Sequence, residues 1–349
     1  MNRYLILLFL FFWAFAKAQP ETYKDWKFKK MIFVKSNENK TLSDYSCSFS
    51  FSIEELRSDH KIKPDFSDIR VTDEDNNILC YWVDTSEHDK INIWFRIPEL
   101  KPLENKICHL LYGNPSATSA SNGDCAFMLF DDFNGSAYDK GKWDLQGNAV
   151  PVLSNGSIHF KGAHTDQFLI SKYQFHRPLI AEMKVSDVKG SFPAMSFIFN
   201  SSFGYIGGYS LAFEDRYKSM QLWKMQPSVC GAFEMNYPHS NPESCYNALG
   251  LWSLTLITTN DIMAHFEDKD IIEGNTFIED KDLKIGLGLL SCGNKDQSRL
   301  SVDWIRLRSF TQNPPSISVS SEYANDKGEP SPSPQLIGLI KSPIFINAR

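Results

Sequence analysis

The chain has 349 residues, 42% of them hydrophobic and 13% aromatic, with a formal charge of -6. That length suits two domains of ~100–200 residues each, and the apolar content is ample for sizeable cores. Lys and Arg are scattered rather than gathered in a basic stripe, which argues against a nucleic-acid partner.

The first segment, "MNRYLILLFLFFWAFAKAQ", has a basic start at Arg3, an apolar run from Tyr4 to Ala16, and the small-x-small site Ala16-Lys17-Ala18 before Gln19. This is the pattern of a secretory signal peptide, residues 1–18. The apolar run falls short of the ~20 residues a membrane-spanning helix needs, and no later stretch is long enough either. The expected location is secreted or cell-surface, with no membrane span.

Strand signals follow. In "INIWFRI", Ile91, Ile93, Phe95 and Ile97 face one way and Asn92, Trp94 and Arg96 the other. "ILCYWV" (78–83) and "KICHLLY" (106–112) are similar apolar runs, and only "SIEELRS" (52–58) reads as helical. The stretch "GNPSATSASNG" (113–123) is too polar and too small-residued for a core. It is expected to separate an N-terminal β domain (20–118) from a second one (127–323), with a linker over 119–126. Beyond it, "AMSFIF", "YSLAF", "MQLWKM", "WSLTLIT" and "IMAHF" continue the pattern between Gly, Asn, Asp and Pro clusters. That spacing reads as all-β, two tandem antiparallel sandwiches. The Pro/Ser-rich "NDKGEPSPSPQ" begins a linker or tail over 324–349.

Seven cysteines follow the signal, and outside the cytoplasm thiols tend to pair. Cys230 and Cys245 enclose a Pro/Asn/Ser-rich loop suited to a clip, and Cys80 and Cys108, which flank consecutive strand candidates, are a second candidate pair. No C-x-x-C occurs, so neither a zinc ribbon nor a thioredoxin-like site is indicated. Asn39, Asn134, Asn155 and Asn200 head N-x-S/T sequons.

Two segments carry a resemblance. "SDIRVTDEDNNILCYWVD", "INIWFRIP" and "LLYGNPSATSASNG" resemble a domain family of unknown function in bacterial and archaeal surface proteins. Its members share an Asp-Ile-Arg-x-Thr-Asp strand, a Tyr-Trp strand, a Trp-x-Arg/Lys-x-Pro strand and a Tyr-Tyr-Gly-Asn-Pro end. Here Leu111 replaces the first Tyr of that end. "LFDDFNGSAYDKGKWDL", "KIGLGLL" and "SVDWIRLRSF" resemble the first and last two strands of concanavalin-A-like jelly-roll domains. The resemblance implies a jelly roll over about 127–310, with its first and final strands side by side. It also implies a structural Ca2+ held by Asp303 with Asp132 or Asp131. Fold alone does not fix activity.

Catalytic signals are sparse. Glycan-cleaving enzymes of that fold place carboxylates at alternate positions of one strand, because residues i and i+2 share a face. Retaining enzymes need the pair ~5–5.5 Å apart. No strand here alternates acids. Glu182 in "LIAEMKV" is alone on its face, with Lys184 two residues on. No Gly-x-Ser-x-Gly elbow or His-Glu-x-x-His run occurs. A sugar site needs flat aromatic faces with polar rims, and "FGYIGGYSLAFEDRYKSMQLWKM" offers Tyr205, Tyr209, Glu214, Arg216 and Trp223 as ligand-binding candidates. The expected function is non-catalytic binding of a polysaccharide or glycoconjugate, or adhesion. Its alternatives are a laminarinase-like glycoside hydrolase or lyase, and a structural module that contacts other envelope proteins.

Overall fold

The structure is a computed structural model that describes residues 23–54, 60–147, 149–162, 167–202, 205–215, 218–225, 233–234, 248–257, 261–267, 269–275, 282–289 and 298–325. The signal-like segment, most of the 52–58 stretch and the tail lie outside them. Among the described residues no helix is long and apolar enough to cross a membrane.

The first sandwich uses strands β1 (Phe28–Lys35), β2 (Leu42–Ser52), β3 (Arg70–Thr72), β4 (Tyr81–Asp84), β5 (Lys90–Leu100) and β6 (Asn105–Tyr112). β2, β5 and β4 make a three-stranded sheet, while β1, β6 and β3 belong to a facing sheet. The alternation in β5 does what its sequence predicts. Ile91, Ile93, Phe95 and Ile97 join Ile32, Val34 and Leu110 in the core between the sheets. Trp94 turns to the other side.

The second sandwich is an antiparallel jelly roll with sheets of eight and seven strands. Its strands are β7 (Leu129–Asp131), β8 (Trp143–Gln146), β9 (Val152–Ser154), β10 (Ser157–Gly162), β11 (Gln167–Ser171), β12 (Leu179–Lys189), β13 (Ser191–Ser202), β14 (Tyr205–Glu214), β15 (Ser219–Met225), β16 (Phe233–Glu234), β17 (Gly250–Leu256), β18 (Asp261–Phe266), β19 (Lys269–Asn275), β20 (Lys284–Leu289) and β21 (Ser298–Ser309). One sheet runs β19-β18-β17-β12-β21-β10-β9 with β7 also on β21, and the other runs β16-β15-β14-β13-β20-β11-β8. Their inner faces close on one core that includes Trp143, Phe160, Phe197, Trp252 and Leu287. The first and final strands are neighbours, as expected. Leu129, Phe130 and Asp131 pair with Leu307, Arg306 and Ile305.

The structure corrects three sequence-based expectations. First, the jelly roll does not run to residue 323. After β21 the chain returns to the first sandwich, where β22 (Ser316–Val319) and β23 (Tyr323–Ala324) both pair with β1. The first sandwich is therefore built from both ends of the chain, and polar contacts hold the return. Asn37 Nδ2 donates to the Pro314 carbonyl at 2.7 Å, and Lys61 Nζ pairs with Glu322 at 2.8 Å.

Second, the 119–126 stretch is docked rather than free. Asn122 N donates to the Tyr81 carbonyl at 2.7 Å, and Ser121 Oγ accepts from Val83 N at 2.9 Å. The Asn122 side chain then caps a single-turn helix, α1 (Gly123–Ala126). Small polar residues serve here because the chain lies flat on an edge strand and has little room for side chains.

Third, Cys80 does not pair with Cys108. Cys80 is bonded to Cys125 of α1, their Cα atoms 5.2 Å apart. Cys108 and Cys47 are free thiols inside the first core, and burial pushes both thiol pKa values up, that of Cys108 to about 12. Spacing along the sequence cannot reveal that β6 turns Cys108 inward while the 119–126 segment folds back over Cys80. Cys230 and Cys245 lie outside the described residues.

Candidate functional site

The cation candidates do not converge. Asp131 points into the jelly-roll core, where its carboxylate accepts from Trp143 Nε1 at 2.7 Å and from Phe133 N at 3.0 Å. Burial pushes its pKa up, partly offset by those hydrogen bonds. Asp303 sits at an irregularity between β12 and β21 and accepts from Ser157 Oγ at 2.8 Å and Ser186 Oγ at 2.5 Å. Asp132 is half-buried beyond the end of β7. Among the described residues no three His, Cys, Asp or Glu side chains gather as a metal site would. The apolar stretch Ala126–Phe130 therefore ends at Asp131, because this carboxylate anchors the Trp143 indole. Trp143→Phe keeps a ring and deletes the donor, so chemical denaturation should report a loss of about 1.5–3 kcal/mol.

The proposed sugar platform is rearranged. Tyr209 turns inward with Leu211 and Phe213 and is 1% exposed, so it cannot offer a flat face to a ligand. Its neighbours by alternation, Ser210, Ala212 and Glu214, take the opposite, outer face of the seven-stranded sheet, where they too are buried. They are joined there by Ser196 (opposite Ser210), Gln221 (opposite Ala212) and Ser219 (opposite Glu214). Ser196 and Ser210 are hydrogen-bonded to each other, and Gln221 Nε2 donates to Ser219 Oγ at 3.0 Å. Farther across the face, Phe168 and Ile198 close over Gly286, where an added Cβ would meet them at 2.4 and 2.7 Å. One end of the outer face is thus polar and small, and the other apolar. Tyr205 and Trp223 lie on β14 and β15, but their side chains, like all of Arg216, lie outside the described part.

The described side chains of this face include two carboxylates, Glu214 on β14 and Asp144 on β8, in strands four intervals apart. At ~4.8 Å per interval the strands lie about 19 Å apart, against the ~5–9.5 Å that glycoside hydrolysis requires.

The most elaborate arrangement lies at the seam between the sandwiches. The outer face of the three-stranded sheet meets the outer face of the eight-stranded one through Trp82, Trp94, Phe127, Phe130 and Trp304. Arg306 stands among them, its Cζ 4.0 Å from the Trp94 ring centre and 4.5 Å from that of Trp304. Such cation–π contacts strengthen when water is excluded. β12 and β21 are in register at Glu182 and Arg306, so these side chains stand side by side.

Glu182 is far from alone. It accepts from Arg306 Nε at 2.8 Å, Arg308 Nε at 2.9 Å and Arg308 Nη2 at 3.2 Å. Arg306 Nη1 also reaches Asp84 of β4 at 3.7 Å, which ties the two sandwiches electrostatically. Burial alone would push the Glu182 pKa up, but the two guanidinium charges and their hydrogen bonds outweigh it and hold the carboxyl at about 2. A carboxylate so held does not act as a general acid near neutral pH.

A cleft of about 430 Å³ opens beside this seam, lined by Tyr45, Trp94, Glu182, Trp304, Arg306 and Arg308 among others. None of these is among the sequence-based site candidates. A signal was present in "DWIRLR", whose W-x-R-x-R alternation sets Trp304, Arg306 and Arg308 on one strand face.

Residues 65–146 match a family model described as "Domain of unknown function (DUF2341)". The match begins within the N-terminal segment singled out from its motifs and ends in β8. It thus crosses the seam and includes the Cys80–Cys125 bridge, Trp82, Trp94 and Phe130. No curated protein matches the chain.

Among solved structures, the chain is similar to one described under "Prominent members of the human gut microbiota express endo-acting O-glycanases to initiate mucin breakdown". The identity is 13% and the TM-score 0.41, covering 53% of this chain and 100% of that one. It is also similar to an endo-beta-1,3-glucanase from Pyrococcus furiosus, with 14% identity and TM-score 0.39 over 53% of this chain and 95% of that one. A Bacillus licheniformis beta-glucanase shows 14% identity and TM-score 0.39 over 52% and 98%. At these scores the likenesses carry no argument about this chain's chemistry.

Proposed function

We propose that this is a secreted or cell-surface glycan-binding protein that does not cleave its ligand, and that its jelly roll supplies a binding face. The observation that carries the reading is the polar layer on the seven-stranded sheet's outer face, buried at 0–4% exposure, whose unmet hydrogen-bonding capacity rather than open surface points to a ligand. Ser196, Ser210, Glu214, Ser219 and Gln221 are hydroxyl, carboxylate and amide groups where a sheet destined for another apolar layer would carry Leu or Val. Gln221 Oε1 is buried with no hydrogen-bond partner among the described residues, an acceptor suited to a sugar hydroxyl. The two carboxylates among the described side chains of the face, Glu214 and Asp144, stand too far apart to form a hydrolytic pair, which favours binding over the glycosidase alternative. An exterior location is supported by the signal-like start and by the Cys80–Cys125 bridge.

Affinity electrophoresis through gels containing single polysaccharides tests the reading. Wild-type protein should be retarded by at least one of them. Gln221→Leu should weaken that retardation about 3- to 10-fold, the loss of one ordinary hydrogen bond. A variant that migrates as wild type in every gel would remove the sheet face from the account.

A further inference from the structure

The seam cleft has a chemistry of its own. Three buried N–H donors on residues that line it have no acceptor among the described residues: Trp94 Nε1, Trp304 Nε1 and Arg306 Nη1. The residues are 9%, 5% and 4% exposed. Leaving a buried donor unpaired is costly, and native proteins rarely do it without a function or a bound group. The acceptors nearby are already committed. Glu182 takes three N–H groups from the two arginines, and Asp84 Oδ1 takes Ser86 N at 3.0 Å. Asp84 Oδ2, at 3.7 Å from Arg306 Nη1, is an ion-pair partner beyond hydrogen-bond range. The seam therefore has donors in excess, and whatever fills the cleft must bring oxygen acceptors.

Charge decides which kind. At the bottom, Arg306 and Arg308 are matched by Glu182 and Asp84. Nearer the rim, Lys90 and Lys184 are matched by Glu87 and Glu267. A balanced lining does not select an anion. Indole and phenol rings beside unpaired donors suit a group with an apolar face and neutral oxygens at its edge. The cleft volume of about 430 Å³ is that of a small-ligand site, within the usual ~300–1,000 Å³.

We infer that the cleft between the two sandwiches is a binding site for a neutral, polyhydroxylated ligand, a sugar ring, whose oxygens accept from Trp94, Trp304 and Arg306. This site is separate from the jelly-roll face proposed above and does not depend on it. Because the cleft draws on both sandwiches, neither half alone contains it.

The test uses the full chain and tryptophan fluorescence titration with neutral gluco-, manno- and galacto-configured tetrasaccharides. A galacturonate tetrasaccharide and inorganic sulfate serve as anionic probes. Wild type should bind at least one neutral tetrasaccharide. Trp94→Phe and Trp304→Phe, which keep a ring and delete the N–H, should each weaken it about 3- to 10-fold. Val150→Ser, at an exposed residue outside the cleft, should leave this affinity unchanged. In wild-type protein, the indole N–H resonances of Trp94 and Trp304 should shift on titration, a readout that does not depend on a variant folding. Binding only of galacturonate or sulfate, wild-type affinity in both Trp→Phe variants, or unmoved indole resonances at saturating sugar would overturn the inference.

Discussion

Glu182→Gln is expected to lower the unfolding free energy by about 3–5 kcal/mol, the usual cost of removing one partner from a buried ion pair. The substitution leaves Arg306 and Arg308 buried beside a neutral amide, with Asp84 the remaining nearby anion, at 3.7 Å. The size of the loss reflects stranded charge rather than the worth of the pair. Replacing Glu182, Arg306 and Arg308 together by Leu or Met should therefore recover much of it.

The same carboxylate predicts a pH dependence. Its pKa is about 2 in the folded protein against 4.5 for a free glutamate. A lowered folded-state pKa means stability that is fully present above about pH 4.5 and lost as pH falls toward 2. At 1.36 kcal/mol per unit the contribution is roughly 3 kcal/mol. Denaturant titrations from pH 6 to pH 2 should show that fall in wild type and a flatter acid limb in Glu182→Gln. Parallel slopes would mean that the network is not formed in solution.

Cys80→Ser with Cys125→Ser is the second large expectation. The bridge spans 45 residues of sequence. In the chain-entropy model, closing a loop of that length stabilises the fold by about 4 kcal/mol. It also pins α1, which carries Ala126 and leads into Phe127, both part of the aromatic contact at the seam. The double variant should thus lose stability and loosen the seam together, seen as a lower thermal midpoint and higher exposure of Trp82 and Trp94 to a fluorescence quencher. A lower midpoint with unchanged quenching would show that the bridge stabilises without holding the seam.

What the sequence reveals and what it hides divide along physical lines. Alternation is local, so β5 and the division of its faces are legible from "INIWFRI" alone, and so is the second strand set. The pairing of β7 with β21 follows from the jelly-roll resemblance. Three things depend on contacts between distant segments and leave no local mark. The return of Ser316–Val319 to β1 is one, because a strand's partner is not written in its own residues. The Cys80–Cys125 pairing is another, since it depends on the 119–126 segment lying back on β4. The third is the seam itself. Trp94 sits on the polar side of its strand and reads as a solvent-facing residue, yet a second sandwich covers it. Glu182 reads as isolated because its arginines are 124 and 126 residues away. Tyr209 was the reverse case, an aromatic in a run of aromatics whose inward direction is set by the register with β13 and β15.

The account stands most directly on one paired measurement. Wild-type protein is run through polysaccharide gels while the same polysaccharides, incubated with it in solution, are assayed for new reducing ends. The account predicts retardation by at least one polysaccharide with no reducing ends released from it. Unretarded migration in every gel, or release of reducing ends from the polysaccharide that retards it, would contradict it.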